Sequence, residues 1–444
     1  MIVSDKKLKI FLFFEIVLIM LIFYKSSKSL SAFVDEYLSL TSNNSFFNNF
    51  DFNAGSMADG SYGVILTSGP LSAVGSVIGW SLSNNLIIAR FSNFLWALFL
   101  HIFLIRTIKK YYKFDQNMFL IYSGFSLLIL PWYFGLLYSL GEIVSTIIFF
   151  YGLLLFEPKR KLSILLLSMS VFYGKLILLF LFLIFYATYV FLAKEYKKIY
   201  SDVLIFSIPP LFWLAFVSYY YTGGTVFDYI YEFVYFNFTN NRSAGIKEVG
   251  SYSVLDFLLS YRNSEVMNWN LADLLRVLIS PILFIGIISV IKEKTINKFN
   301  ILILAVVVSS ISLYLWFWIF SPTKWIRYSQ HFLLIQILFV LFYLTQNSTQ
   351  VDNSLKVLLI STYFSLFFSS YLLILFFLTT LLIFRKYQLT NSYSFFPYLL
   401  AIFLFINSIN VYFELQSKTE FTFEFDICKE NLMSKQCFEE YINQ

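Results

Sequence analysis

Apolar runs close to the ~20 residues that a helix needs to cross a bilayer recur along nearly the whole chain, separated by short polar turns. They predict spans at 10–24, 86–105, 117–134, 138–156, 162–174, 176–193, 202–220, 273–291, 300–319, 331–346, 357–384 and 394–413. The runs are too uniformly apolar for alternating barrel strands. In hydrocarbon each backbone amide must be satisfied within its own segment, so the expected fold is a helix bundle. The run at 10–24 follows a basic lead and reads as a retained anchor, because only a weak small-residue site at Ser29/Ser31 follows it and more spans come later. Glu15, within two turns of the cytoplasmic end, reads as structural.

Short loops rich in Lys and Arg resist translocation. Most of the 32 basic residues lie in the lead (Lys6, Lys7, Lys9) and in the turns holding Arg106/Lys109/Lys110/Lys113, Lys159/Arg160/Lys161, Lys194/Lys197/Lys198, Lys292/Lys294/Lys298, Lys356 and Arg385/Lys386. All of these share one side if the N-terminus is cytoplasmic, which puts two large loops, 25–85 and 221–272, on the outer face. Keeping Arg385/Lys386 inside requires 357–384 to return as a hairpin near Ser369/Ser370, for about 13 segments; a single tilted span gives about 12. The chain then divides into a membrane domain over 1–415 and a short tail over 416–444, expected to be periplasmic. The tail holds Cys428 and Cys437, which can bond outside the cell but fit two free thiols equally well. In the second loop, Asp228 and Glu232 stand four apart among aromatics, a pattern that suits a helix lying at the lipid surface with its acids toward water.

Composition removes several function classes. Residues are 59% hydrophobic and 13% charged, against about a quarter charged in a soluble domain, so an ordinary soluble enzyme is excluded. No phosphate-binding GxxxxGK[ST], GxGxxG or HExxH occurs, which argues against a nucleotide-driven engine. Two histidines and two distant cysteines make no zinc spacing. The basic clusters are short turns already explained by topology, so no nucleic-acid surface is expected. Nothing in these motifs demands a cofactor, although a carboxylate pair can hold a divalent metal.

Several polar residues fall where membrane physics makes them costly. Asp35-Glu36-Tyr37 follows the first span, either as a solvated pair or as a carboxylate able to deprotonate a hydroxyl. Gly60-Ser61-Tyr62 and Gly69-Pro70-Leu71 precede a weakly amphipathic stretch. Arg90, in Ala89-Arg90-Phe91-Ser92-Asn93, sits near the outer end of its span, where snorkelling is the default and pairing with a loop carboxylate the alternative.

The order Asp35-Glu36, a later Tyr, Gly-Pro-Leu, then Ala-Arg-x-x-Asn resembles the N-terminal half of GT-C fold glycosyltransferases. These include protein O-mannosyltransferase-like, aminoarabinose-transferase-like and rhizobial lipopolysaccharide-transferase-like enzymes. Leu140-Gly141-Glu142-Ile143 is similar to a Gly-Glu in many of them, and Tyr173-Gly174-Lys175 resembles their Thr-Lys break. Trp316 to His331 is similar to a late outer segment whose Arg-Tyr pair, here Arg327-Tyr328, precedes a span. The likeness covers roughly 35–331. The chain departs from the family in its Asn-rich stretch after Asp35, in Gly174 where Thr is usual, and in having a tail in place of a final soluble domain.

The resemblance implies an all-α GT-C-like membrane bundle with short interfacial helices on its outer loops. It also implies a bacterial inner-membrane transferase whose active site faces the periplasm, with a polyprenyl-phosphate sugar as donor and a lipid, glycan or protein hydroxyl as acceptor. Asp35 would be the base, with Glu36 and Asp59 as further carboxylates. Lys324, Arg327 and His331, spaced i, i+3 and i+7, are expected on one helical face that binds phosphate, against ordinary headgroup contact. Lys175 has no acid within a helical turn, so it must lose its proton or find a distant anion. Glu142 begins a helix, where its charge suits the positive dipole end whether its role is structural or catalytic. Tyr62, Arg90 and Tyr328 are supporting residues, and Trp316, Trp318 and Trp325 are expected as interface aromatics. The rival readings are a flippase of lipid-linked saccharides, an oligosaccharide polymerase, and a structural subunit without an active site.

Overall fold

The computed structural model describes residues 70–114, 141–220, 225–234, 271–291, 298–321 and 326–345, with Phe13, Val17, Met20, Leu40, Phe47, Phe119 and Leu255. Every regular element among the described residues is helical: α1 Pro70–Ser83, α2 Leu86–Ile108, α3 Glu142–Leu155, α4 Arg160–Phe172, α5 Leu178–Ala193, α6 Ile199–Tyr220, α7 Val226–Val234, α8 Leu271–Ile291, α9 Lys298–Ile319 and α10 Gln330–Leu344. Short 3-10 turns at Tyr196–Lys198 and Ile326–Ser329 lead into α6 and α10. Eight of the expected spans therefore appear as helices within a few residues of their expected bounds, in α2 to α6 and α8 to α10. The spans at 357–384 and 394–413 and the cysteine tail lie outside the described residues, as do nearly all of 10–24 and of 117–134.

Layering follows from helix composition. All of α3 is buried, as is α10 from Gln330 to Phe342, and these two short helices form the centre. A helix apolar on every side belongs in an interior. α2, α4 and α10 pack on α3, while α9 lies against α5 and α6 against α4. The outward face of α6 exposes Val203, Leu204, Ile208, Leu211 and Phe212, as expected of a lipid-facing helix. By length and apolarity α2, the stretch Tyr196–Ala215 and α9 can each cross a bilayer.

Proline shapes α6. Pro210 has no N–H for the Phe206 carbonyl four residues earlier, and Ser168 of α4 supplies the missing donor at 2.6 Å. Polar side chains also join the centre: Ser280 of α8 donates to Gln336 of α10 at 3.0 Å, and the Gln336 amide donates to Ser310 of α9 at 2.7 Å. Each bond spares a polar group from facing hydrocarbon.

The α1–α2 hairpin is set by its turn and by two glycines. Asn84 adopts φ 48 and its N–H donates to the Trp80 carbonyl at 2.7 Å, while the Asn85 side chain accepts from Ile87 N at 2.8 Å and caps α2. A Cβ on Gly75 would sit 2.7 Å from Asn93 Cα, and one on Gly79 would sit 2.6 Å from the Ile88 carbonyl. Small residues four apart thus let the two backbones touch.

Charges gather where α4 starts and α5 ends. Arg160 donates to Glu195 and to Asp202 Oδ2, the latter at 2.8 and 2.6 Å from Nε and Nη2, and its guanidinium lies 4.5 Å from the Phe156 ring centroid. Lys198 and Lys298 reach Glu195 Oε1 at 3.0 and 2.8 Å. This clamp brings the ends of α4, α5, α6 and α9 together, and its residues come from the turns that the basic-residue pattern assigns to the cytoplasm. At the far end of α6, Thr225 and Asp228 form a reciprocal cap on α7: the Thr225 N–H and hydroxyl donate to Asp228 Oδ2 at 2.6 and 2.7 Å. Phe227 and Tyr231 are exposed beside Asp228, so α7 forms where an interfacial helix was expected.

Gly79→Val is expected to destabilise the fold by about 1 to 3 kcal/mol, because the clash is with backbone that cannot move aside; thermal melting in detergent reads this directly. Burial pushes the Glu195 carboxyl up, but hydrogen bonds from Lys298 and Lys198 and the charge of Arg160 outweigh it and bring it down to about 2. A depressed carboxyl stabilises above its unfolded value and loses that contribution as pH falls through the folded one. Glu195→Gln is therefore expected to cost about 2 kcal/mol near neutrality. The gap in melting temperature between variant and wild type should narrow as pH falls from about 4.5 toward 2.

Candidate functional site

At the end of the bundle away from that clamp, three chain breaks converge: the start of α3, the α4–α5 break and the start of α10. Gly141, at φ 74, turns the chain so that α3 begins at Glu142. The left-handed conformation favours glycine. Glu142 is only 3% exposed, yet it is satisfied: its Oε2 accepts from Gln330 Nε2 at 2.6 Å and its Oε1 lies 3.7 Å from Lys175 Nζ. Its place in the first turn adds the favourable field of the helix N-terminus.

Lys175 owes its position to the break before it. Its N–H donates to the Ser170 carbonyl at 2.9 Å, which folds the chain back over the end of α4. A Cβ on Gly174 would stand 2.2 Å from the Ser170 carbonyl oxygen and 2.5 Å from Ser145 Cβ, so the break presses directly onto the first turn of α3. A threonine at this position would have no room. The neighbouring Tyr173 carbonyl accepts from Leu71 N at 3.0 Å, and its hydroxyl donates to the Pro209 carbonyl at 2.9 Å. Trp96 Nε1 donates to the Leu71 carbonyl at 3.1 Å. The Gly-Pro-Leu and Tyr-Gly-Lys motifs, a hundred residues apart in sequence, therefore meet.

His331 joins the same cluster. Its Nδ1 is 3.0 Å from Thr146 Oγ1, and that hydroxyl lies 2.7 Å from the Glu142 carbonyl. A hydroxyl has one proton; if it goes to the carbonyl, the histidine Nδ1–H is the donor and Nε2 is left as the acceptor in the neutral ring.

Some expectations change. Arg90 does not snorkel: it is fully enclosed at 0% exposure, with Asn93 one turn on and also buried. Arg327 lies in the 3-10 turn Ile326–Ser329, and the α-helix that carries His331 starts only at Gln330, so these two are not on one continuous α-helix. His331 is turned inward at 1% exposure. Trp318, expected at the membrane interface, is buried at 5% against Phe317 and Tyr314. Tyr328 is half-buried near Trp316, their ring centroids 6.5 Å apart. Asp35, Glu36, Asp59, Tyr62 and Lys324 lie outside the described residues, and so does the side chain of Arg327. Gln330 and Thr146 were not singled out from the sequence; only the adjacency of Gln330 to His331 pointed toward them. No cluster of acids, histidines or cysteines suited to a metal is found among the described residues.

The class defined here is a polytopic membrane protein whose described elements are helical. Neither a known protein family nor a curated protein matches the sequence. The chain does share its fold with ArnT from Cupriavidus metallidurans, a glycosyltransferase of the GT-C type, as the sequence motifs implied. With the crystal structure of ArnT bound to undecaprenyl phosphate, the likeness covers 91% of this chain and 77% of that one, at a TM-score of 0.55 and 12% identity. With the apo structure it covers 90% and 76%, at 0.53 and 10%. At this identity the likeness is one of fold.

Gly174→Ala is expected to destabilise the protein by about 2 kcal/mol or more, since the new methyl meets a carbonyl oxygen and a side chain held on α3. The readout is a lowered melting temperature in detergent. An unchanged melting temperature would show that the break does not bear on α3 as described.

Proposed function

We propose that the protein is a membrane glycosyltransferase that takes a sugar from a polyprenyl-phosphate donor and passes it to an acceptor hydroxyl on the periplasmic face of a bacterial inner membrane. The observation that carries this reading is the buried Glu142–Lys175–Gln330–His331 cluster, set where three helix breaks meet in a fold shared with a protein that binds undecaprenyl phosphate. The donor's own bond to phosphate supplies the activation, so the absence of a nucleotide motif is no obstacle.

In this reading Asp35 accepts the proton of the acceptor hydroxyl as that oxygen attacks the anomeric carbon. The sugar–phosphate bond breaks on the opposite side, with inversion, and the lipid leaves as its phosphate monoester. A placed base contributes about 10²- to 10⁴-fold in rate. Lys324 and Arg327, with Lys175, balance the charge that develops on the leaving phosphate in a water-poor setting. Arg offers paired planar donors and Lys a point charge, so the two divide recognition between geometry and neutralisation. Glu36, Asp59, Tyr62, Arg90 and Tyr328 support the same site. The acceptor is a hydroxyl of a lipid, a glycan or a protein. No divalent metal is needed for these steps.

Purified protein incubated with synthetic polyprenyl-phosphate sugars is expected to release free lipid phosphate, detected by mass spectrometry. Asp35→Asn should lower that release by at least about 10²-fold while donor binding and melting temperature stay near wild type. Full turnover in Asp35→Asn removes the assignment of the base. Movement of intact donor across a bilayer without release favours a flippase instead.

A further inference from the structure

Glu142 and Lys175 form an unequal pair. The carboxylate is held on three sides: by the Gln330 amide at 2.6 Å, by the first turn of α3, and by a surround that leaves its side chain 4% exposed. The ammonium stands at 3.7 Å, beyond hydrogen-bond length, on a side chain that is 13% exposed. The backbone of Lys175 is fixed by the Gly174 contact, but its four-carbon stem is flexible. When the ammonium moves away, Gln330 and the helix N-terminus still satisfy the carboxylate, so the lysine is the mobile partner and the glutamate the fixed one.

We propose that Glu142 is the resting counter-ion of Lys175, and that a phosphate monoester reaching the α4–α5 break displaces it. The lysine then alternates between a protein carboxylate and the phosphate of the spent lipid carrier. Without the carboxylate the ammonium would bind product phosphate more firmly and release it more slowly; a competing carboxylate lowers that affinity and returns the cation to its protein partner after each turnover. Glu142 is thus a positioning residue that acts through Lys175. The inference rests on the transferase reading for the identity of the phosphate.

The measurement is undecaprenyl phosphate binding to the full chain in lipid nanodiscs, followed by native mass spectrometry across a lipid titration. Glu142→Gln removes the charge and keeps an oxygen to accept from Gln330. It is expected to tighten binding on the order of tenfold, the coupling typical of two linked sites, and to lower both the donor KM and kcat because product leaves slowly. Glu142→Asp, which keeps the charge, should move both constants back toward wild type. In the double variant Glu142→Gln/Lys175→Met the tightening should vanish. Unchanged or weaker binding in Glu142→Gln overturns the exchange, since a merely structural carboxylate has no route to tighter binding.

Should that variant fail to fold, a cryo-EM structure of the wild type with undecaprenyl phosphate decides the matter. Lys175 Nζ is expected on the phosphate and withdrawn from Glu142; a lysine still on Glu142 with the lipid bound overturns the proposal. Wild-type protein that binds no undecaprenyl phosphate removes the transferase reading and the exchange together, whereas binding that ignores Glu142→Gln removes the exchange alone. Inorganic phosphate, titrated in parallel, separates the sources. Competition at millimolar concentration supports exchange with a free anion as well, and no competition assigns the exchange to the lipid headgroup.

Discussion

A buried carboxylate has to be satisfied where it lies, and Glu142 meets that demand by drawing together segments far apart in the chain. Gln330 arrives from α10 and Lys175 from the α4–α5 break, and Gly141 sets the angle at which α3 starts. Leaving such a group unpaired in a low-dielectric interior costs several kcal/mol, so the pairing is a condition of folding as much as a feature of a site. The two central helices are also short. At 14 residues α3 spans only about 21 Å, and it can be so brief because neighbouring protein, rather than lipid, surrounds it.

The two ends of the bundle solve opposite problems. At one, Arg160, Glu195, Asp202, Lys198 and Lys298 cancel one another across four helices, so the charges of short turns become a fastening. At the other, Glu142 and Lys175 are tied to breaks in the helices, and backbone groups are shared between segments, as Leu71 and Tyr173 do. Irregular backbone at membrane depth is tolerated where protein encloses it.

Much of the helical layout was legible in the chain because membrane spans announce themselves through hydropathy alone; Leu86–Ile108 and Lys298–Ile319 fall almost on their expected bounds. Glu142 at a helix start and the break at Lys175 were also readable, the first from Gly-Glu and the second from a cation interrupting an apolar run. What could not be read was their partnership. Lys175 has no acid nearby in sequence, and the one it meets lies 33 positions earlier on another helix. Burial hides in the same way: Arg90 and Trp318 carry the residue types of an interface yet are enclosed, because helix-to-helix contacts decide which face looks inward. The 3-10 turn at Ile326–Ser329 was invisible to a rule that assumes one helical period.

The α4–α5 hairpin is closed at both extremities, by Arg160 on Glu195 at its open end and by Gly174 wedged at its tip. Its limbs, 13 and 16 residues, are individually brief for a membrane crossing. Joined so, neither limb has to span a bilayer by itself: α4 is braced by α3 and α6, and α5 by α9, so the pair holds its depth through protein contact rather than through its own length.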